Sequence, residues 1–334
     1  MPILAMKKLL TVFFAIACAV GAFSQEVVLH EQHAFPDKVP AGGYSGITWL
    51  GDTRYAVVSD NGRDGFFLFD IQLDSLGDIT SVENLGFYGS ETPNHDNEGI
   101  AWCAPRNTLF ISGEKDNKVR EFTLEGLPTG RTLILPKEFE GASRAYGLEA
   151  LTYDAENHLF YTTSESTLPA DGERATATNG VENKLRLVAV DDSLQTVAQY
   201  PYLMDQPTAE AAYETYAFGV SALAALGNGH LLVLEREFAV PQSKLGAYVN
   251  CKIYDVAPDV DSKDKLQWDK PLAKTLVAEW MTAIGLLDFS IANYEGMCLG
   301  PKLPDGRQTI ILVADSQNQY ANILADYFKS IVIF

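Results

Sequence analysis

The chain has 334 residues, 47% of them hydrophobic and 11% aromatic, which is material for one large or two ordinary domains and too apolar for disorder. A net charge of −19 at pH 7 argues against nucleic acid or an anionic membrane as partner and suits an exported soluble protein, a cation binder, or both. The four cysteines include no Cys-x-x-Cys pair, so they form neither a zinc site nor a disulfide framework.

Lys7 and Lys8 precede the apolar run Leu9 to Ala22, and Ala22-Phe23-Ser24 supplies small residues where a signal peptidase reads. Residues 1–24 are therefore expected to be a secretory signal peptide, leaving residues 25–334 as one domain that is periplasmic or extracellular. The run is short for a membrane span. Ala15-Ile16-Ala17-Cys18 resembles a lipobox but lacks its leucine, so lipidation at Cys18 is the lesser alternative. Cys103, Cys251 and Cys298 remain in the mature chain, and Cys103 and Cys298 read as buried thiols in or beside inner strands.

Glu26 to His30 is a spare strand. Beyond it a strand-turn-strand unit recurs five times. The copies are Ser45-Gly46-Ile47-Thr48-Trp49 to Ser59-Asp60, Asn97-Glu98-Gly99-Ile100 to Gly113-Glu114, and Leu148-Glu149-Ala150-Leu151 to Ser164-Glu165. Phe218-Gly219-Val220 to Leu234-Glu235 and Asn293-Tyr294-Glu295-Gly296 to Ala314-Asp315 complete the set. Two further apolar strands follow each copy except the last, which runs out at Ser330 to Phe334. Thr208 to Tyr216 is the one stretch expected to manage two helical turns.

Four antiparallel strands per repeat, without intervening helices, predict an all-β fold: a β-propeller with five countable blades, a sixth requiring a repeat too diverged to see. The spare N-terminal strand is expected to complete the last blade and close the ring, removing an exposed edge. With strands lettered A to D from the axis outward, the start of A, the B–C loop and the D–A connection share one face. The long segments Tyr88 to Asn97, Pro136 to Tyr146, Ser166 to Asn183, Pro201 to Ala217, Phe238 to Gly246 and Met281 to Asn293 all fall there. Long loops on one end of a rigid scaffold usually build the site.

The same face should receive Glu98, Glu149 and Glu295 from strand A, and Asp60, Glu114, Glu165, Glu235 and Asp315 from strand B. Crowded carboxylates repel one another unless some are protonated or a cation sits among them. Oxygen ligands without histidine or thiolate suit Ca²⁺, less often Mg²⁺. The plainer alternative is that such acids accept hydrogen bonds from neighbouring-blade amides and fix blade to blade.

Asn97-Glu98-Gly99, Gly147-Leu148-Glu149-Ala150-Leu151, Leu234-Glu235-Arg236, and Asn293-Tyr294-Glu295-Gly296 with Val313-Ala314-Asp315-Ser316 resemble the phytase-like family of secreted, esterase-like propellers, from about Gly42 to the C-terminus. The resemblance implies hydrolysis of phosphoesters or simple esters and marks Glu98, Glu149, Glu235, Arg236, Glu295 and Asp315 by position. Ser45 stands where an acid would in the first repeat, and the fourth has no strand-A acid. Calcium would reverse the ring's repulsion of phosphate.

On this reading Glu98, Glu149, Glu295 and Asp315 hold the metal, and Glu98, Glu149 and Arg236 are catalytic. Arg236, Arg144, Lys115, Arg63 and His95 grip a small phosphoester or ester. The alternative for Arg236 is a plain ion pair with the ring, and for His95 a loop position without a role. No Gly-x-Ser-x-Gly elbow, zincin motif, P-loop or dinucleotide fingerprint is present. A sugar-lactonase-like propeller and a non-enzymatic propeller that binds a glycan or protein are the alternatives.

Overall fold

The computed structural model describes residues 27–259, 263–285, 289–319 and 324–334. The expected signal peptide and Cys18 lie outside them. Among the described residues there are twenty strands and no α-helix, and no helix is long and apolar enough to cross a membrane. Thr208–Tyr216 forms no helical turns: it runs as irregular chain into a strand that starts at Thr215.

Alternating and continuous apolar runs build five four-stranded antiparallel sheets. Blade one is β2 (Tyr44–Gly51), β3 (Arg54–Ser59), β4 (Arg63–Leu73) and β5 (Ile79–Pro93). Blade two is β6 (Asn97–Cys103), β7 (Thr108–Gly113), β8 (Lys118–Phe122) and β9 (Pro128–Thr132). Blade three is β10 (Leu148–Asp154), β11 (Leu159–Ser164), β12 (Lys184–Asp191) and β13 (Thr196–Leu203). Blade four is β14 (Thr215–Gly227), β15 (His230–Val240), β16 (Tyr248–Val256) and β17 (Lys274–Ala283). Blade five is β18 (Asn293–Lys302), β19 (Gln308–Asp315), β20 (Tyr327–Ile333) and, as its outermost strand, β1 (Val28–Ala34). Several loops expected on the carboxylate face are shorter than they read, because β5 runs on to Pro93 and β15 to Val240.

The N-terminal strand closes the ring as expected, pairing Val28 with Val332 and His33 with Phe328. It runs further than the apolar pattern suggests because its outer half is held by side chains: Tyr294 Oη donates to Gln32 Oε1 at 2.9 Å, and Lys329 Nζ donates to His30 O. The innermost strands β2, β6, β10, β14 and β18 touch in sequence, with β18 returning to β2.

Each blade junction buries its own apolar cluster, and there are five. Phe110 of blade two meets Phe160 of blade three with ring centroids 4.4 Å apart. Burying one such side chain contributes about 1.5–3 kcal/mol. At the axis the strands are so close that a Cβ on Gly46 would lie 2.1 Å from Glu98 O, and one on Gly99 2.6 Å from Glu149 O. Glycine at positions 46 and 99 is therefore a packing requirement. Cys103, Cys251 and Cys298 are free and buried.

Candidate functional site

Every innermost hairpin carries the same irregularity. The register slips by one residue between Tyr44 and Gly46, Asn97 and Ile100, Leu148 and Leu151, Val220 and Ala222, and Tyr294 and Gly296. A bulge leaves one residue unpaired and re-aims a side chain. The residues in these bulges include Ser45, Glu98, Glu149, Ser221 and Glu295, so Ser221 is the counterpart of the strand-A acids in the fourth blade.

The partner strands obey the same register. One residue past the last pair before each bulge stand Asp60, Glu114, Glu165, Arg236 and Asp315. Arg236, not Glu235, thus occupies the fourth blade's place in the ring. Glu235, expected in the ring, lies one residue short, and in a strand that turns its side chain to the other face. There it accepts from Tyr202 Oη at 2.6 Å and from Lys274 Nζ at 2.7 Å, tying blade three to blade four.

The ring therefore combines seven acids with one arginine. Carboxylate oxygens of Glu98, Glu149 and Glu295 lie within 4.8 Å of one another, as do those of Glu114, Glu149 and Glu165. Arg236, 3% exposed, donates from Nη2 to Glu165 Oε1 at 2.8 Å and lies 3.2 Å from Glu295 Oε1. Among the described residues its buried Nε has no partner. Glu295 also accepts from Asn293 Nδ2, Glu114 from the Gly147 amide, Asp60 from Asn61 Nδ2 and Asp315 from the Gln317 amide. Among the described residues no donor reaches Glu98 or Glu149, which are 8% and 5% exposed. Asp315 does not share either close triad.

Burial raises every acid of the ring, and repulsion from neighbouring acids adds to it for all but Glu295. Asp60 is pushed up to about 7 by burial and then by Glu295 and Asp96, and Glu114 to about 7 by burial against the pull of the Gly147 amide. Burial, then the charges of Glu295 and Glu114, lifts Glu98 well above the carboxylate range; burial and Glu98 do the same to Glu149, and burial and Glu295 to Asp315. Glu165 and Glu295 are also raised by burial, with Arg236 opposing.

The other expected substrate-binding cations are spread around the rim. Arg63 pairs with Glu91 at 2.7 Å and covers the Phe87 ring at 4.4 Å, both on β5, the outer strand of blade one. Lys115 sits 3.5 Å from Asp96, and His95 Nδ1 3.5 Å from Asp116. Arg144 is exposed. Two residues escaped the sequence reading. Ser221 carries no charge to betray it, and Arg174 sits mid-loop yet lies over the Tyr146 ring at 3.7 Å and lowers Glu165 by its charge. At the far end of the inner strands a separate cavity of about 370 Å³ is lined by Trp49, Trp102 and Tyr153.

A family model described as phytase-like, esterase-like activity of phytase, matches residues 39–317. No curated protein matches the chain. Among solved structures, a thermostable family-43 glycoside hydrolase is similar at 12% identity and TM-score 0.47, covering 89% of this chain and 91% of that one. A family-43 β-xylosidase/α-arabinofuranosidase from a compost microbial metagenome gives 9% identity, TM-score 0.46 and coverage of 91% and 95%. Streptogramin B lyase gives 11%, 0.38, and 92% and 98%. Likenesses this distant carry no argument about chemistry.

Proposed function

The chain belongs to the phytase-like family, and on that premise we propose that the carboxylate ring is the site of an exported, divalent-cation-dependent hydrolase of phosphoesters or simple esters. The single observation that carries this reading is the meeting of Glu98 and Glu149, 8% and 5% exposed, with Glu295, one oxygen of each within 4.8 Å of the others and no hydrogen bond to Glu98 or Glu149 among the described residues. A buried charge without a partner is costly, and a cation is the partner that an all-oxygen set favours. Glu98, Glu149 and Glu295 fit a calcium ion as ligands, with Asp315 alongside. When bound, such an ion polarises the ester oxygens and lowers the pKa of a water.

The chain's own residues supply the rest. Asp60, half-buried and pushed up to about 7 by burial and neighbouring acids, is, like Glu114, a proton acceptor matched to neutral pH. Arg236, fixed by Glu165 and Glu295, brings a positive charge into the ring for an anionic substrate. Arg144 and Arg174 add positive charge at the rim. A signal peptide over residues 1–24 would deliver the domain to a calcium-rich compartment.

Elemental analysis of the purified protein, paired with hydrolysis of p-nitrophenyl phosphate and p-nitrophenyl acetate, tests the reading. A bound divalent ion lost together with activity in Glu295→Gln is the expected result. Folded, metal-free protein inert on phosphoesters, carboxyl esters and lactones overturns it and leaves a binding propeller.

A further inference from the structure

Four residues beyond each bulge, about 13 Å along the inner strand, five equivalent positions line the opposite end of the channel. Trp49, Trp102, Tyr153, Ala225 and Leu299 occupy them, each paired with the second strand of its own blade. Blades one to three thus present aromatic side chains where blade four has an alanine, flanked by Ala224 and Gly227, and all five positions line the cavity of about 370 Å³. We propose that this cavity binds a small quaternary ammonium ion, independently of the carboxylate ring and its chemistry.

Size and lining together select the ligand. The volume falls within the range of about 300–1,000 Å³ typical of small-molecule sites. It exists because blade four is small there: a large aromatic at position 225 would occupy it. Among the described residues no lysine, arginine or histidine lines the cavity, whereas Asp154 and Glu156 do, so charge favours a cation over an anion. Both acids are held by neutral donors. Asp154 Oδ1 accepts from the Glu156 and Asn157 amides at 3.0 and 3.1 Å, its Oδ2 from Asn157 Nδ2 at 2.8 Å, and Glu156 Oε2 from the Asn228 amide at 2.8 Å. Those bonds leave the negative charge in place but take up acceptor oxygens. An ammonium bearing N–H groups would compete for them; a quaternary ion has no N–H to satisfy. Aromatic faces, tryptophan best, attract such an ion through the ring quadrupole. The wall is also built in advance. Trp49 Nε1 donates to Asp52 O at 2.9 Å, the Trp102 amide to Thr48 Oγ1 at 3.2 Å and Tyr153 Oη to Asp192 Oδ1 at 3.0 Å, which reduces the cost of ordering it around a ligand.

The test is a calorimetric titration of the full chain, in EDTA, with choline, with its uncharged analogue carrying tert-butyl in place of trimethylammonium, and with glucose. Saturable binding of one choline per chain is expected, with the uncharged analogue weaker by at least about tenfold and glucose not bound. Ala225→Trp, which fills the cavity, should abolish choline binding. Trp102→Ala should weaken it by at least about tenfold and Glu156→Gln by about three- to tenfold. Circular dichroism confirms that each variant is folded, and should Trp102→Ala fail to fold, the other two variants decide the matter. No saturable choline binding, equal affinity for the uncharged analogue, a preference for glucose, or choline binding unchanged in Ala225→Trp each overturns the site. EDTA keeps divalent ions off the carboxylate ring throughout, so neither result bears on the hydrolase reading.

Discussion

Arg236 Nη2 lies 2.8 Å from Glu165 Oε1, and the two residues hold the same register position in adjacent blades. One blade of the five thus answers the acids of the others with a positive charge, held above its ordinary pKa by Glu165 and Glu295 against the effect of burial. Removing it strands buried carboxylates. Arg236→Met is expected to cost about 3–5 kcal/mol at pH 7.5. Denaturant unfolding should show a smaller loss at pH 5, where the acids protonate.

Stability of the ion-free protein should fall as pH rises. A carboxyl whose folded pKa lies above its unfolded value binds protons more tightly when folded, so its contribution is complete below the unfolded pKa and declines through the folded one. Asp60 and Glu114 titrate at about 7, which places the decline between roughly pH 4 and 7. Thermal melts in EDTA across that range should show a falling midpoint. Millimolar Ca²⁺ should restore it at pH 7, because a ligand bound only by the folded state stabilises by mass action. A midpoint that rises with pH in EDTA would refute the ring electrostatics.

Glu235 and Glu295 should part company. Glu235 ties Tyr202 and Lys274 together between blades three and four, outside the ring. Glu235→Gln is expected to lower stability by about 1–3 kcal/mol while leaving ion stoichiometry untouched. Glu295→Gln should reduce ion binding instead. Calorimetric titration beside denaturant unfolding separates the two.

Arg174 should act on the substrate's charge. Stacked on Tyr146 and felt electrostatically by Glu165, it is expected to matter for anionic esters only. Arg174→Met should raise KM for a phosphoester by about three- to tenfold with kcat little changed, the pattern of lost uniform binding, and leave a neutral ester unaffected.

Deleting β1 should open the molecule. β20 would then present an unpaired edge, and Lys329 would lose the His30 carbonyl it donates to. A chain starting at Phe35 is expected to melt lower and to self-associate through that edge, visible by light scattering after gel filtration.

The fold was legible from residues alone because the repeat is a local pattern: an apolar strand, a turn and a second strand, five times over, with Glu26 to His30 left over to close the ring. Glycines after Glu98 and Glu295 marked the tight axis without the sequence saying why. The membership of the ring was only partly legible. Strand alternation flips a side chain's face with every residue, so a one-residue bulge decides whether Glu235 or Arg236 faces the axis, and Ser221 rather than Gly219 stands level with the acids. Bulges form where five strands must converge, which is a property of the closed ring and of no single segment. The chemistry of carboxylates therefore belonged to the sequence. Which of them meet, which stay without a hydrogen-bond donor, and that an arginine completes the circle were decided by tertiary packing, because these contacts join residues up to some two hundred positions apart.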